Sequence, residues 1–270
     1  MNLNRTNHPG IYVKKMTDRL TITLAQLNPI VGAVNENIEK VRDARRQAAE
    51  AGADLVVCSE LVVSGYPPED LVMKPFFLDK VETAVNEFAA ETDDGGPAVL
   101  LTAPWRDGNR TFNAAMLLDG GEVASIRFKH DLPNYGVFDE VRVFDAGPMP
   151  GPIDFRGIRI GVPICEDIWT PDVPECLEES GAEIFIVPNG SPYDLEKTDQ
   201  RLQHAIARVT ETGLPLAYVN QVGGQDELVF DGASFVLNAN CSLAVQAPDW
   251  SEAVVTTKWR RGEDDVWICE

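Results

Sequence analysis

The chain has 270 residues, 44% of them hydrophobic and 24% charged, with a formal net charge of −20. This length and composition suit a soluble α/β domain with a substantial core. The acidic balance works against a nucleic acid or an anionic membrane surface as partner, because both demand a basic face.

Five widely spaced cysteines, an odd number, speak for a reducing compartment without a disulfide framework, and neither a CxxC pair nor an HExxH pattern marks a zinc site. No apolar stretch reaches membrane-span length and no apolar signal-peptide core opens the chain, so a cytoplasmic protein is expected. The first fifteen residues are polar and aperiodic, and residues 1–17 are expected to form a flexible segment ahead of a folded unit at 18–270.

Strand and helix signals then alternate. "LTITLAQL" (20–27) predicts a strand. "NENIEKVRDARRQAAEAG" predicts a helix with Asn35 near its cap, Ile38, Val41, Ala44 and Ala48 on one face, and Gly52 at its end. "DLVVCSE" (54–60) predicts a short buried strand ending on a carboxylate. Phe77, Val81, Val85 and Phe88 mark a second amphipathic helix, and "PAVLLTAP" (97–104) another buried strand.

"TFNAAMLLDGGEVASIRFK" is two runs divided by Asp119-Gly120-Gly121, a hairpin signal, and "IDFRGIRIGVPIC" repeats the pattern around Gly157. The long irregular stretch between these hairpins, 130–152, is of the kind that usually carries function. Downstream follow the strand "AEIFIVPN", a helix over 194–212 carrying Leu195, Leu202, Ile206 and Val209, the strand "PLAYVNQV", and strand-rich runs at 227–247 and 253–258. One α/β domain of layered strands and helices is the economical reading.

In α/β sheets reactive groups collect at strand ends. Glu60, Lys129 and Cys165 each end a predicted strand. Taken singly, they read as a solvated carboxylate, an edge charge and a small buried hydrophobe. Taken together, they supply a base for a thiol proton, a cation for thiolate and oxyanion, and a nucleophile. One difficulty stands in "GVPICEDIW": two carboxylates directly follow Cys165, and negative charge beside a thiol holds it protonated.

These segments resemble the nitrilase superfamily of carbon–nitrogen hydrolases and, within it, the glutaminase domains of glutamine-dependent NAD synthetases. "LAQLNPIVGAVNENIEKV" is similar to the first strand and helix, "SELVVSGYPPEDLV" to the Glu motif, "FKHDLPNYGVFDEVRVF" to the Lys motif and "GVPICEDIW" to the Cys motif. "VPNGSPY" and "VNQVGGQDELVFDGASFVLN" match two further segments of that branch, so the likeness runs from about residue 18 to near the end. It implies a four-layer α-β-β-α sandwich.

It also implies roles: Glu60 as general base, Lys129 as oxyanion-stabilising cation, Cys165 as nucleophile and Glu140 as a second acid that orients the site. Tyr135, Glu166, Ser191 and Tyr193 fall where the family grips glutamine. Glu166 would meet the substrate α-ammonium, which turns its carboxylate away from the Cys165 sulfur, while its N–H serves as a second oxyanion donor. The implied chemistry is amide hydrolysis through a thioester, with ammonia passed to a second site.

That second site belongs to a C-terminal ATP-binding synthetase domain marked by an SGGxDS-type loop. "VGGQDE" at 222–227 lacks the serines, so ATP and Mg²⁺ are expected only in a synthetase domain outside these residues, and no cofactor or metal within them. L-glutamine, the ammonia-receiving synthetase domain and further copies in a homo-oligomer are the implied partners. Three alternatives stay open: a stand-alone amidase or nitrilase with the same triad, a Cys–His enzyme using His130 or His204, and an inactive scaffold or regulatory subunit. Against the second, His204 lies in a polar helical register and His130 adjoins the Lys129 cation.

Overall fold

The computed structural model describes residues 17–195 and 197–270, so residues 1–16, most of the segment expected to be flexible, lie outside the described residues. The first half of the chain runs β1 (Arg19–Gln26), α1 (Val34–Glu50), β2 (Leu55–Cys58), α2 (Pro75–Ala90), β3 (Ala98–Asp107), β4 (Arg110–Asp119), β5 (Glu122–Phe128) and the short α3 (Glu140–Val143). Next come β6 (Ile153–Phe155), β7 (Ile158–Gly161), α4 (Asp172–Glu179), β8 (Ile184–Asn189), α5 (Lys197–Thr212) and β9 (Leu216–Asn220). The chain finishes with β10 (Val222–Gln225), β11 (Leu228–Asp231), β12 (Phe235–Leu237), β13 (Leu243–Gln246), β14 (Ala253–Arg261) and β15 (Trp267–Cys269).

Two sheets form, in strand orders β15-β14-β1-β2-β3-β4-β5 and β13-β12-β9-β8-β7-β6, with β10 and β11 a separate hairpin. Each sheet has a parallel centre: β1, β2 and β3 in one, β7, β8 and β9 in the other. Parallel strands need crossover connections, and the helices supply them on one side of each sheet.

The sequence shows why both faces of these strands are covered. β2 has no polar alternation: Leu55 and Val57 enter a core shared by the two sheets, while Val56 and Cys58 face α1 and α2. β8 divides the same way, with Ile184 and Ile186 between the sheets and Phe185 and Val187 towards α4 and α5. Continuous apolar runs are what strands buried on both faces require. Each such fully buried side chain contributes about 1.5–3 kcal/mol relative to exposure. The layers are therefore α-β-β-α, as the resemblance implies.

The helical stripes Ile38–Val41–Ala44–Ala48 and Phe77–Val81–Val85–Phe88 are buried against the outer face of the first sheet. Asn35 lies in the first turn of α1, near the cap position, which Ala33 holds without a side-chain cap. Its neighbour Asn37 is the buried one, donating to the Ile30 and Val63 carbonyls and accepting from the Ile30 N–H. Leu195 stands in a turn before α5, exposed, so the helix begins at Lys197 and not at 194. Cys165 is not a strand end either, because β7 stops at Gly161 and Cys165 opens a 3-10 turn (Cys165–Ile168).

Candidate active site

The candidate residues converge where the carboxyl ends of the parallel strands meet, the expected place for a ligand in such sheets. Glu60 lies two residues beyond β2, Lys129 one residue beyond β5, and Gly190 and Ser191 directly after β8. The backbone on either side is held in place. The Glu60 N–H donates to the Asn189 carbonyl at 3.1 Å, and the Lys129 N–H donates to the Asn113 carbonyl at 2.8 Å. Leu61 and Cys165 both adopt φ of 48°, a left-handed conformation that costs a side-chain-bearing residue on the order of 1 kcal/mol or more. Such strain beside two candidate groups is typical of a site whose geometry is set by its surroundings.

Lys129 is fully buried, and its Nζ donates to Glu60 Oε1 at 2.7 Å and to Glu140 Oε1 and Oε2 at 2.8 and 2.9 Å. Asn113 Nδ2 shares Glu60 Oε1 at 2.7 Å, and the Gly190 N–H reaches Glu60 Oε2 at 2.9 Å. The Tyr66 hydroxyl donates to Glu140 Oε1 at 2.8 Å. Gly190 must be glycine here, since a Cβ would come within 2.9 Å of the Tyr66 ring and 3.1 Å of Glu60 Oε2.

The electrostatics follow from this crowding. Burial opposes the Lys129 ammonium, but Glu140 and Glu60 more than offset it and hold the amine charged well above its ordinary range. Burial raises Glu140 above the usual carboxylate range, with Lys129 pulling against it and Glu60 adding to it. The Cys165 thiol is pushed well above its ordinary value by burial and then by Glu60, while Lys129 and the Gly190 N–H act in the opposite sense. On balance these surroundings favour the Cys165 thiol over its thiolate.

The two carboxylates after Cys165 have different surroundings. Glu166 is half-buried and accepts from the Tyr135 hydroxyl at 2.9 and 3.0 Å, which brings together two of the residues expected to grip substrate. Burial raises the Glu166 carboxyl, and the Tyr135 bond moderates the effect. Asp167 is fully buried and accepts from the backbone N–H groups of His130, Asp131 and Ile164. Burial outweighs the Asp131 and Ile164 donors and pushes it up to about 7.

Ser191 is buried, and Asn220 pins it by accepting from its N–H at 3.0 Å and donating to its carbonyl at 3.1 Å. Tyr193 is placed differently. Its ring meets Trp250 edge-on at 5.0 Å and lines a surface cavity of about 710 Å³ with Asp231, Gln246 and Trp250. The two described histidines are engaged elsewhere: His204 lies against the Trp169 ring at 4.3 Å, and His130 Nδ1 is engaged with the Gly147 carbonyl at 2.8 Å.

Reading the sequence alone missed Asn113, Tyr66 and Asn220. A polar residue inside the apolar run "TFNAAMLL" was the one available sign for Asn113. Among the described residues no group of three or more His, Cys, Asp or Glu could hold a metal ion, and no helix is long and apolar enough to cross a membrane.

Comparison with known proteins places the chain in a family. Residues 21–263 match the Carbon-nitrogen hydrolase family, and the chain belongs to that family. It is 50% identical over 250 residues to a glutamine-dependent NAD(+) synthetase of Rhodobacter capsulatus, covering 93% of this chain and 45% of that protein. With one from Xylella fastidiosa strain 9a5c it shares 40% identity over 262 residues, 94% of this chain and 48% of the relative. The chain thus spans about half the length of these curated relatives.

Among solved structures, glutamine-dependent NAD+ synthetase from Acinetobacter baumannii superimposes with a TM-score of 0.86 at 35% identity, over 92% of this chain and 47% of that one. A mutant of the amidase from Nesterenkonia sp. AN1 superimposes at 0.79 with 25% identity, over 90% of this chain and 91% of that one. That structure carries the acetamide moiety of fluoroacetamide added covalently at its active-site cysteine.

Proposed function

We propose that the chain is a glutamine amidohydrolase working through a Cys165 thioester, whose ammonia serves the ATP-dependent amidation of deamido-NAD to NAD. Residues 18–270 form its glutaminase unit, and the amidation, with its ATP and Mg²⁺, belongs to a synthetase domain outside them. The reading includes a cytoplasmic, homo-oligomeric enzyme. The observation that carries it is the buried Glu60–Lys129–Glu140 cluster, whose Glu60 and Lys129 charges act on the Cys165 sulfur. The Tyr135–Glu166 pair at its edge offers an anion for an α-ammonium group, and the named NAD(+) synthetases among the relatives supply the destination of the ammonia.

The atoms divide the work as follows. Glu60 Oε1 accepts from both Lys129 and Asn113 while Oε2 accepts only from the Gly190 N–H, so Oε2 keeps a lone pair to take the thiol proton as Cys165 attacks the glutamine carboxamide carbon. Nζ of Lys129 has three protons. One on Glu60 and one shared by the two oxygens of Glu140 leave a third for the developing oxyanion, beside the Glu166 N–H. Collapse of the tetrahedral adduct breaks the C–N bond, and Glu60 returns its proton to the leaving ammonia. Water then attacks the thioester with Glu60 again as base, releasing glutamate and restoring the thiol.

The deciding experiment measures ammonia release by the purified chain from L-glutamine and from simple aliphatic amides. Saturable hydrolysis of glutamine with little turnover of the amides supports the reading. A second reading, a stand-alone amidase, is favoured by the fold likeness to the Nesterenkonia amidase over nearly its whole length. Turnover of aliphatic amides without glutamine hydrolysis would establish it instead.

A further inference from the structure

Asp167 has no part in the steps above, yet its carboxylate accepts three backbone hydrogen bonds close to them. Its two oxygens serve two different segments of the chain. Oδ1 accepts from the N–H groups of His130 at 3.0 Å and Asp131 at 2.8 Å, the two residues that follow Lys129. Oδ2 accepts from the N–H of Ile164 at 2.9 Å, the residue that precedes Cys165. The side chain is fully buried, so no water competes for either oxygen. Thr170, from the same turn, adds a bond to the Asp131 carboxylate at 3.1 Å.

The Lys129 segment needs such a hold. Lys129 itself keeps backbone bonds to Asn113 and Gly147, but past it the chain enters the long irregular stretch to residue 152, and His130 and Asp131 lie outside the sheets. The Cys165 segment needs it too, because β7 has ended four residues earlier and Cys165 itself sits at φ 48°. A neutral amide could not do the same work. Asparagine offers one acceptor oxygen, and its NH₂ group would face the N–H groups of whichever segment it turned towards.

We propose that Asp167 is a positioning residue that sets the distance between the Lys129 ammonium and the Cys165 sulfur by clamping the backbone of both to one carboxylate. This rests on the reading of Cys165 as nucleophile and Lys129 as its cation. It goes beyond a turn cap, which would need only the Ile164 bond.

The test compares Asp167→Asn and Asp167→Glu with the wild-type chain, each confirmed folded by thermal melting. Readouts are glutamine kinetics and the rate of Cys165 alkylation by iodoacetamide at fixed alkaline pH. Misplacing a catalytic group by about 1 Å costs on the order of 10²-fold. The expected result is a kcat lower by roughly that factor with KM changed little, and alkylation slowed several-fold as Lys129 draws away from the thiol. A residue that merely caps its turn would lower the melting temperature and leave kcat and alkylation at wild-type values, and that result overturns the proposal.

If neither variant folds, amide hydrogen exchange of the wild-type chain decides. Protection of the His130, Asp131 and Ile164 N–H groups as strong as that of the sheet cores supports the clamp, and rapid exchange at any of them refutes it. Cys165→Ala is run in parallel. Full activity in that variant removes the underlying functional reading, whereas an inactive Cys165→Ala beside a fully active Asp167→Asn refutes only the clamp.

Discussion

Replacing Lys129 by methionine removes the only cation that bonds Glu60 and Glu140 in the described site. Methionine fills much the same volume, so the change is one of charge. Two buried carboxylates then face each other with Asn113, the Gly190 N–H and Tyr66 as their remaining donors. Breaking a buried pair by deleting one partner costs about 3–5 kcal/mol, which for a chain of this size lowers the melting temperature by on the order of 10 °C.

The loss has a definite pH dependence. Without Lys129, which pulls its value down, Glu140 titrates still higher in the folded state than in the unfolded state, continuing the rise that burial already imposes on it. The folded protein then binds more protons than the unfolded one, so the penalty is small near the unfolded carboxylate value of about 4.3 and grows as pH rises above it. Adding Glu140→Gln removes one of the two charges and should recover most of the lost stability while leaving glutamine hydrolysis absent. Thermal melts of wild type, single and double variants between pH 5 and 8 are the assay. A Lys129→Met melting temperature equal to wild type at pH 8, or no recovery in the double variant, refutes the charge account of this cluster.

Other outcomes follow from the same geometry. Glu60→Gln should abolish hydrolysis yet lower the Cys165 thiol pKa, because the Glu60 charge is what, after burial, holds it up; iodoacetamide would then label Cys165 faster at pH 8, and slower labelling would contradict the placement. Cys58→Ser, at a fully buried thiol that burial pushes up to about 12, should cost stability but retain hydrolysis, as measured by melting and ammonia release. Asn220→Ala severs both bonds to the Ser191 backbone, so KM for glutamine should rise more than kcat falls, with unchanged steady-state constants as the contrary result.

Much of the fold was legible because its physics is local. Two-faced burial makes β2 and β8 continuous apolar runs, and the stripes of α1 and α2 declare one covered face each. The misreading of the α5 start also has a local cause: Leu195 matched a helical period but is exposed, with no burial to fix it. The site was legible only as separate motifs. Glu60 and Lys129 stand 69 residues apart and Glu60 and Asn113 stand 53 apart, so their hydrogen bonds exist only once the sheets are assembled. Nothing in "CEDIW" distinguishes the carboxylate that faces Tyr135 from the one that closes on three backbone N–H groups.

The central claim, a glutamine-specific thioester at Cys165, is tested most directly by mass spectrometry of the chain treated with a glutamine-mimicking diazoketone electrophile. The account predicts a single adduct on the peptide carrying Cys165, blocked by excess L-glutamine and absent in Cys165→Ala. Labelling at Cys58, Cys176, Cys241 or Cys269 instead, or labelling of Cys165 that glutamine does not protect, would contradict it.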